Sequence, residues 1–184
     1  MTCIVGWVSP ARMILMADTL DSTTHLSVSC RPHKLWRSGP ALVGVAGGLR
    51  IGQVLREQVE PIWLRPEGVM PSLLRWIDEA RRVLGNAGTL RVKDGVQELT
   101  DSRLLVALDG RVWEVDSEWQ VVEPAFNYWA IGSGQSYALG ALAVLADGPM
   151  LLEPNPRVCL TQALKAAAFW DPNVRAHFEV LEVA

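Results

Sequence analysis

The chain has 184 residues, a length that suits one domain with a sizeable core, and we expect a single domain over residues 1–184. Its 17 Lys and Arg against 20 Asp and Glu give a net charge of −3, without any basic block, which argues against nucleic acid and anionic membranes as partners. No apolar run reaches the roughly 18–20 residues of a spanning helix, and no secretory signal is visible.

Cysteine and histidine usage argues against disulfides and against a metal site. The three Cys residues are far apart in sequence and include no CxxC pair, and the three His residues are not spaced as ligands. We therefore expect a cytoplasmic protein with free thiols and with no metal or other cofactor.

The first half of the chain predicts strands followed by two helices. Apolar and β-branched runs predict strands at residues 3–8, 13–17, 26–30 and 41–46, of which the first two form a hairpin. Helical spacing begins at Leu49, after Gly47-Gly48. A second helix, capped by Ser72, follows a loop over residues 61–71. Its inward face is predicted to contain Leu73, Leu74, Ile77, Ala80, Val83 and Leu84.

The second half repeats this order with a final strand. Residues 85–101 predict a hairpin or variable loop, and Asp109-Gly110 marks the strongest hairpin turn in the chain. Strands are predicted at residues 104–108, 111–115, 119–122, 128–131 and 178–183, and helices at about 136–145 and 160–170. The order suits an α+β fold in which two antiparallel sheets stack between two helical layers, a four-layer αββα sandwich.

Thr2 is the first residue along the chain that could take part in catalysis. Removal of Met1 would leave Thr2 with a free α-amine and a β-hydroxyl, a nucleophile beside its own base. The amine has an ordinary pKa of roughly 7.7–8.0, so it accepts a proton near neutral pH. The alternative is that Thr2 is simply the first residue of a strand.

Three further features have two interpretations each. Asp18 is either a turn residue or a positioned charge, and Lys34 is either a catalytic cation or a surface residue whose stem lies along the core. Gly47-Gly48 before a helix is either an anion-binding N-terminus or a tight turn.

Taken together, these residues form a recognisable set. Thr2, Asp18, Lys34 and Ala46-Gly47-Gly48 are followed by Ala130-Ile131-Gly132-Ser133-Gly134 and by Asp171. In order and spacing the set resembles the proteasome β-subunit family, most closely the bacterial HslV-type threonine peptidases and short phage-like relatives. The resemblance extends over essentially the whole chain and is strongest at residues 2–48 and 130–140.

The resemblance implies an N-terminal-nucleophile (Ntn) hydrolase. Thr2 would attack a peptide carbonyl with its own amine as proton shuttle, and Lys34, oriented by Asp18, would favour the ionised hydroxyl. The Gly47 N–H would form the oxyanion hole, and Ser133 and Asp171 would support the Thr2 amine.

The resemblance also implies a setting for the reaction. Similar proteins assemble as homo-oligomeric hexameric or heptameric rings, act on polypeptide substrates and receive them from an ATP-driven unfoldase. We expect activation to require only removal of Met1. Two alternatives remain open: a non-proteolytic amidohydrolase, and a catalytically inactive structural protein related to phage components. Retention of Met1 would favour the inactive protein.

Overall fold

The structure is a computed structural model that describes residues 2–22, 27–29, 34–147, 155–175 and 177–183. In chain order its strands are β1 (Cys3–Ser9), β2 (Arg12–Asp18), β3 (Leu20–Ser22), β4 (Ser27–Ser29), β5 (Leu35–Ser38), β6 (Ala41–Ala46), β7 (Leu90–Lys93), β8 (Val96–Leu99), β9 (Arg103–Leu108), β10 (Arg111–Val115), β11 (Val121–Val122), β12 (Tyr128–Gly132) and β13 (Phe178–Val183). Its helices are α1 (Leu49–Gln58), α2 (Val69–Asn86), α3 (Gln135–Asp147) and α4 (Pro156–Trp170).

Two antiparallel sheets form the centre of the fold. The four-stranded sheet has the order β12-β1-β2-β13, and the five-stranded sheet has the order β11-β10-β9-β6-β5. Helices α1 and α2 pack on the five-stranded sheet, whereas α3 and α4 pack on the four-stranded sheet. The predicted αββα sandwich is therefore confirmed.

The central strands are apolar along their whole length because both faces of each sheet are covered. In β6, Ala41, Val43 and Val45 contact the layer of α1 and α2. The intervening Leu42 and Ala46 contact the opposite sheet. Successive side chains point to opposite faces, so one uninterrupted apolar run contributes to two separate cores.

Strand pairing gathers distant parts of the chain at one end of the four-stranded sheet. Cys3 pairs with Gly132, Ile4 with Ala17, and Phe178 with Asp18. The start of β1, the end of β2 and the end of β12 therefore meet at the residue that precedes β1, which is Thr2.

Both hairpin predictions in the second half are confirmed. Asp109 and Gly110 have φ values of 53° and 68°, the left-handed pair that a two-residue hairpin turn requires. The segment over residues 85–101, predicted as a hairpin or a variable loop, contains the hairpin of β7 and β8.

The predicted cap of α2 is wrong. The helix begins at Val69, so Ser72 lies inside its first turn, where its hydroxyl donates to the Gly68 carbonyl over 2.7 Å. The same hydroxyl accepts from the N–H of Arg65 at 3.0 Å. Pro71 is tolerated in this turn because the first N–H groups of a helix have no partner within the helix.

Leu74 was assigned to the wrong face of α2. It is 45% exposed, and Trp76 is buried instead. Trp76 lies three residues beyond Leu73 and returns to the same face, whereas Leu74 is displaced around the helix by one residue.

Two other boundaries differ from the prediction. Helix α4 begins at Pro156, four residues early, because Asn155 caps it by accepting from the N–H groups of Arg157 and Val158. The strand predicted at 119–122 is reduced to Val121–Val122, since Trp119 lies in a turn with a φ of 68°. The strand predicted at 26–30 is seen as Ser27–Ser29, and its ends lie outside the described residues.

Within the described ranges, none of the helices combines the length and apolar character needed to cross a membrane.

Leu105→Ala should test the contact between the two sheets. Leu105 is fully buried in the core between them, so its truncation should lower the free energy of unfolding by about 2–5 kcal/mol. Gln53→Ala on the exposed face of α1 is the control, with an expected change within about 0.5 kcal/mol. Urea unfolding followed by Trp fluorescence measures both, and equal midpoints would contradict the inter-sheet core.

Candidate active site

The Thr2 side chain lies between two buried charges. Its hydroxyl donates a hydrogen bond to the carboxylate of Asp18 and accepts one from the ammonium group of Lys34. Thr2 itself is 3% exposed at the base of an open cleft. The β1–β2 hairpin delivers Asp18 to this point because Ile4 pairs with Ala17.

Asp18 is a positioned charge as well as the end of a strand. Its carboxylate is completely buried, and Oδ1 accepts hydrogen bonds from the Cys3 N–H at 2.9 Å and from Lys34 Nζ at 3.0 Å. Oδ2 accepts from the Leu20 N–H at 3.2 Å. A buried carboxylate is tolerated when such donors and a cation compensate it.

Lys34 is held at both ends and is not a surface residue. It is 3% exposed and lies directly before β5. Its backbone N–H donates to Oε1 of Glu179 in β13 over 2.7 Å, while its ammonium group reaches Thr2 and Asp18. The cation next to the hydroxyl favours the ionised form of that hydroxyl electrostatically.

Gly47 lies in a turn that only glycine can occupy. Its φ is +124°, and a Cβ there would lie 2.3 Å from Ser102 Oγ and 2.6 Å from the Asp101 carbonyl oxygen. Gly47 and Gly48 are exposed and line the same cleft as Thr2. The cleft has a volume of about 600 Å³. The cleft thus contains both the candidate nucleophile and the candidate oxyanion donor.

Gly132 and Ser133 contact the carbonyl group of Thr2. The Ser133 hydroxyl donates to this carbonyl over 3.3 Å. Gly132 has a φ of +98°, and a Cβ there would lie only 2.2 Å from the same oxygen. Glycine at position 132 is therefore what allows β12 to approach the backbone of Thr2 so closely.

Asp171 ends α4 and is 6% exposed. Burial acts to raise the pKa of Asp171, but the nearby Ser133 hydroxyl and the N–H donors of Asn173 outweigh it and lower the pKa below its usual value. Oδ1 accepts both Asn173 bonds at 2.9 Å. Oδ2 is buried and accepts no hydrogen bond from any residue in the described ranges.

Cys3 is a second nucleophile type in the same site, but its environment makes it inert. Burial, with the carboxylates of Asp18 and Asp171, raises the pKa of the thiol to about 12, and Lys34 opposes this only in part. The thiol is therefore neutral near pH 7, whereas a cysteine must be in the thiolate form to act as a nucleophile.

The structure places all six predicted site residues around Thr2 or its cleft. Thr2, Asp18 and Lys34 bond directly, Ser133 contacts the Thr2 backbone, and Gly47 lines the cleft. Asp171 lies near Ser133 and Cys3. In the described part of the chain, no group of three potential His, Cys, Asp or Glu ligands could hold a metal ion.

Three residues with a structural role at the site were not predicted as site residues. Gly132 belongs to the recognised Gly-Ser-Gly motif, so a sequence signal for it existed. Glu179 lies in a strand that alternates apolar and acidic residues, and Ser102 follows a segment without clear periodicity. Their contacts with Lys34 and Gly48 come from the tertiary fold, and nothing local in the sequence indicates them.

Several solved structures share this fold over nearly the whole chain. Thiobacillus denitrificans BPH is 20% identical with a TM-score of 0.79, and the alignment covers 99% of this chain and 97% of that chain. HslV from Trypanosoma brucei is 20% identical with a TM-score of 0.69 and 98% coverage of both chains. The Gly-1 mutant of Anbu from Hyphomicrobium sp. strain MC1 is 15% identical with a TM-score of 0.70, covering 98% of this chain and 80% of that one.

These comparisons establish the fold class. The chain has the fold of HslV and the proteasome-like Ntn hydrolases. No family model and no curated protein matches the sequence.

Replacing Asp171 with Asn should reduce the acid sensitivity of the fold. Because the folded-state pKa of Asp171 is depressed below 3.8, its contribution to stability is present above that value and is lost as the pH falls through the folded pKa. Wild type should therefore lose more stability than Asp171→Asn between about pH 5 and about pH 2. Urea midpoints across this range measure the difference. The control, Asp94→Asn in an exposed turn, should track wild type, and identical acid profiles for Asp171→Asn and wild type would contradict the assignment.

Proposed function

We propose that the protein is a threonine peptidase of the proteasome β-subunit and HslV type, with Thr2 as nucleophile after removal of Met1. The observation that carries the proposal is the Thr2 hydroxyl held between the buried Lys34 ammonium and the buried Asp18 carboxylate. A buried ion pair adds little to the stability of a fold, because desolvation of the two charges offsets most of their attraction, so its presence points to a chemical role. The shared fold supports the same conclusion.

The reaction begins with a proton transfer within one residue. The free Thr2 amine accepts the proton of the hydroxyl, and the oxygen forms a bond to the carbonyl carbon of the scissile peptide. The resulting oxyanion accepts a hydrogen bond from the Gly47 N–H. The amine then passes its proton to the leaving nitrogen, the C–N bond breaks, and the acyl ester that remains on Thr2 is hydrolysed by water.

Lys34 and Asp18 make this sequence feasible near neutral pH. The Lys34 charge stabilises the developing alkoxide and opposes protonation of the nearby amine. Asp18 fixes the direction of the ammonium group through a 3.0 Å contact and keeps it charged.

Ser133 and Asp171 are proposed to support the amine. Oδ2 of Asp171 is a buried acceptor that has no partner among the described residues, and the adjacent Ser133 hydroxyl reaches the Thr2 backbone. A free α-ammonium on Thr2 would supply the donor that this carboxylate oxygen lacks. This arrangement would assist the amine as it takes up and releases the proton.

The proposed setting is a cytoplasmic homo-oligomeric ring that takes polypeptide substrates from an ATP-driven unfoldase. Large apolar side chains on the helical layers support an assembly: Phe169 is 78% exposed, Trp170 is 66% exposed and Val144 is 71% exposed. Faces of this kind commonly mark contacts between proteins.

Covalent labelling of Thr2 is the decisive experiment. Epoxomicin, which is bound in one solved structure of Thiobacillus denitrificans BPH, is a peptide epoxyketone. The Thr2 hydroxyl would add to its ketone and the amine would open its epoxide, so the adduct would equal the reagent in mass with nothing lost. Intact mass spectrometry should show loss of Met1 and one adduct, absent from Thr2→Ala.

The outcomes of labelling separate the open alternatives. Retained Met1 and no adduct would overturn the peptidase proposal and favour the inactive structural protein. An adduct without cleavage of any unfolded protein or peptide, but with hydrolysis of small amides, would favour the non-proteolytic amidohydrolase.

Substitutions of the ion pair should separate its structural from its chemical role. Lys34→Met and Asp18→Asn each leave one buried partner without its counterpart, so each should lower stability by about 3–5 kcal/mol. The double variant Asp18→Asn/Lys34→Met should recover part of this loss, yet all three should label with epoxomicin at least about 100-fold more slowly than wild type. Urea unfolding and labelling rates measure the two effects, and near-wild-type labelling of the double variant would exclude a catalytic role for the pair.

A further inference from the structure

Ser102 connects the segment before β9 with the glycine turn of the cleft. It is 1% exposed, and its hydroxyl donates to the Thr100 carbonyl over 2.7 Å. The same oxygen accepts a hydrogen bond from the Gly48 N–H at 2.9 Å. The single hydroxyl proton is committed to Thr100, so the oxygen faces Gly48 as an acceptor.

The same segment packs directly against Gly47. A Cβ on Gly47 would meet Ser102 Oγ at 2.3 Å, the Asp101 carbonyl oxygen at 2.6 Å and Ser102 Cα at 2.7 Å. The next residue, Arg103, pairs with Ala46 at the end of β6, so the segment is anchored beside the turn. Gly47 therefore has no space to move toward this wall of the cleft.

The hydrogen bond from the Gly48 N–H to Ser102 gives the start of α1 its side-chain acceptor. Gly48 is the N-cap residue and has no side chain that could cap the helix, and the first turn contains no acidic residue. A helix N-terminus without a local cap is stabilised by an acceptor from elsewhere. Ser102 supplies that acceptor from 54 residues away in sequence.

We infer that Ser102 is a positioning residue that fixes the Gly47-Gly48 turn so that the Gly47 N–H serves the oxyanion. The hydrogen bond from Gly48 to Ser102 occupies one of the two adjacent N–H groups and leaves the Gly47 N–H as the donor for the substrate. The inference rests on the proposed function, because it assigns a role within that reaction. Ser102 acts only through the turn and touches no reacting atom.

Ser102→Ala tests this role, with Ser72→Ala as the matched control: Ser72 is a buried serine outside the cleft whose hydroxyl likewise donates to a backbone carbonyl and accepts from a backbone N–H. Ser102→Ala should lower kcat for a peptide substrate by about 10- to 100-fold with KM unchanged, because the oxyanion exists only after attack. Its affinity for a peptide aldehyde, which forms a tetrahedral adduct, should fall by the same factor. Its affinity for the corresponding peptide alcohol should not change. Ser72→Ala should match wild type in all four quantities.

A measurement that needs no activity separates this inference from the proposed function. Amide hydrogen exchange at Gly48 should be slow in a Thr2→Ala protein and at least about 10-fold faster when Ser102→Ala is added. An inactive wild type with this difference in exchange would overturn the peptidase proposal and with it the oxyanion role, leaving Ser102 as a helix cap. Equal exchange, or an unchanged kcat in an active enzyme, would overturn the inference itself.

A second variant covers the case in which Ser102→Ala fails to fold. Ser102→Cys keeps nearly the same volume but offers a weaker acceptor, so it should show the same fall in kcat and in aldehyde affinity to a smaller extent. A folded Ser102→Cys protein with wild-type kcat and wild-type Gly48 exchange would again contradict the inference.

Discussion

The buried ion pair between Asp18 and Lys34 is the constraint on which the candidate site depends. Asp18 is fully buried, and a carboxylate in that position is tolerated only while its donors remain in place. Those donors come from the start of β1, from the residue before β5 and from the chain just beyond β2. The requirement to compensate one charge therefore fixes three segments relative to each other, and the Thr2 hydroxyl occupies the point where they converge.

The two outer strands of the four-stranded sheet also contact the residues of the candidate site. Glu179 in β13 accepts from the backbone of Lys34, while Gly132 in β12 permits the close approach of the Thr2 carbonyl. Both strands belong to the same sheet as β1 and β2, so the sheet positions the candidate nucleophile from either side. The second sheet contributes the glycine turn after β6 and, through the segment before β9, the serine that holds it. Each layer of the sandwich thus has a separate part in the geometry of the cleft.

Sequence reasoning succeeded where chemistry and periodicity are local. The order of apolar runs fitted the four layers, and the resemblance to the proteasome β-subunit family grouped Thr2, Asp18, Lys34 and Gly47. It failed at the starts of two helices, since the first turn of α2 accepts Pro71, and the Asn155-Pro156 start signal of α4 was overlooked. It also missed Ser102 and Glu179, because a hydrogen bond between residues 54 or 145 positions apart leaves no pattern in either neighbourhood.

The suppressed ionisation of Cys3 makes this thiol an internal reporter of site opening. While the strands around it remain paired, a thiol-directed reagent meets a neutral, fully buried sulfur beside two carboxylates. When β1 separates from its neighbours, the same sulfur regains an ordinary pKa and becomes reactive. Where thiol modification at this residue is faster than unfolding of the whole chain allows, its rate therefore measures how often the nucleophile region unfolds locally.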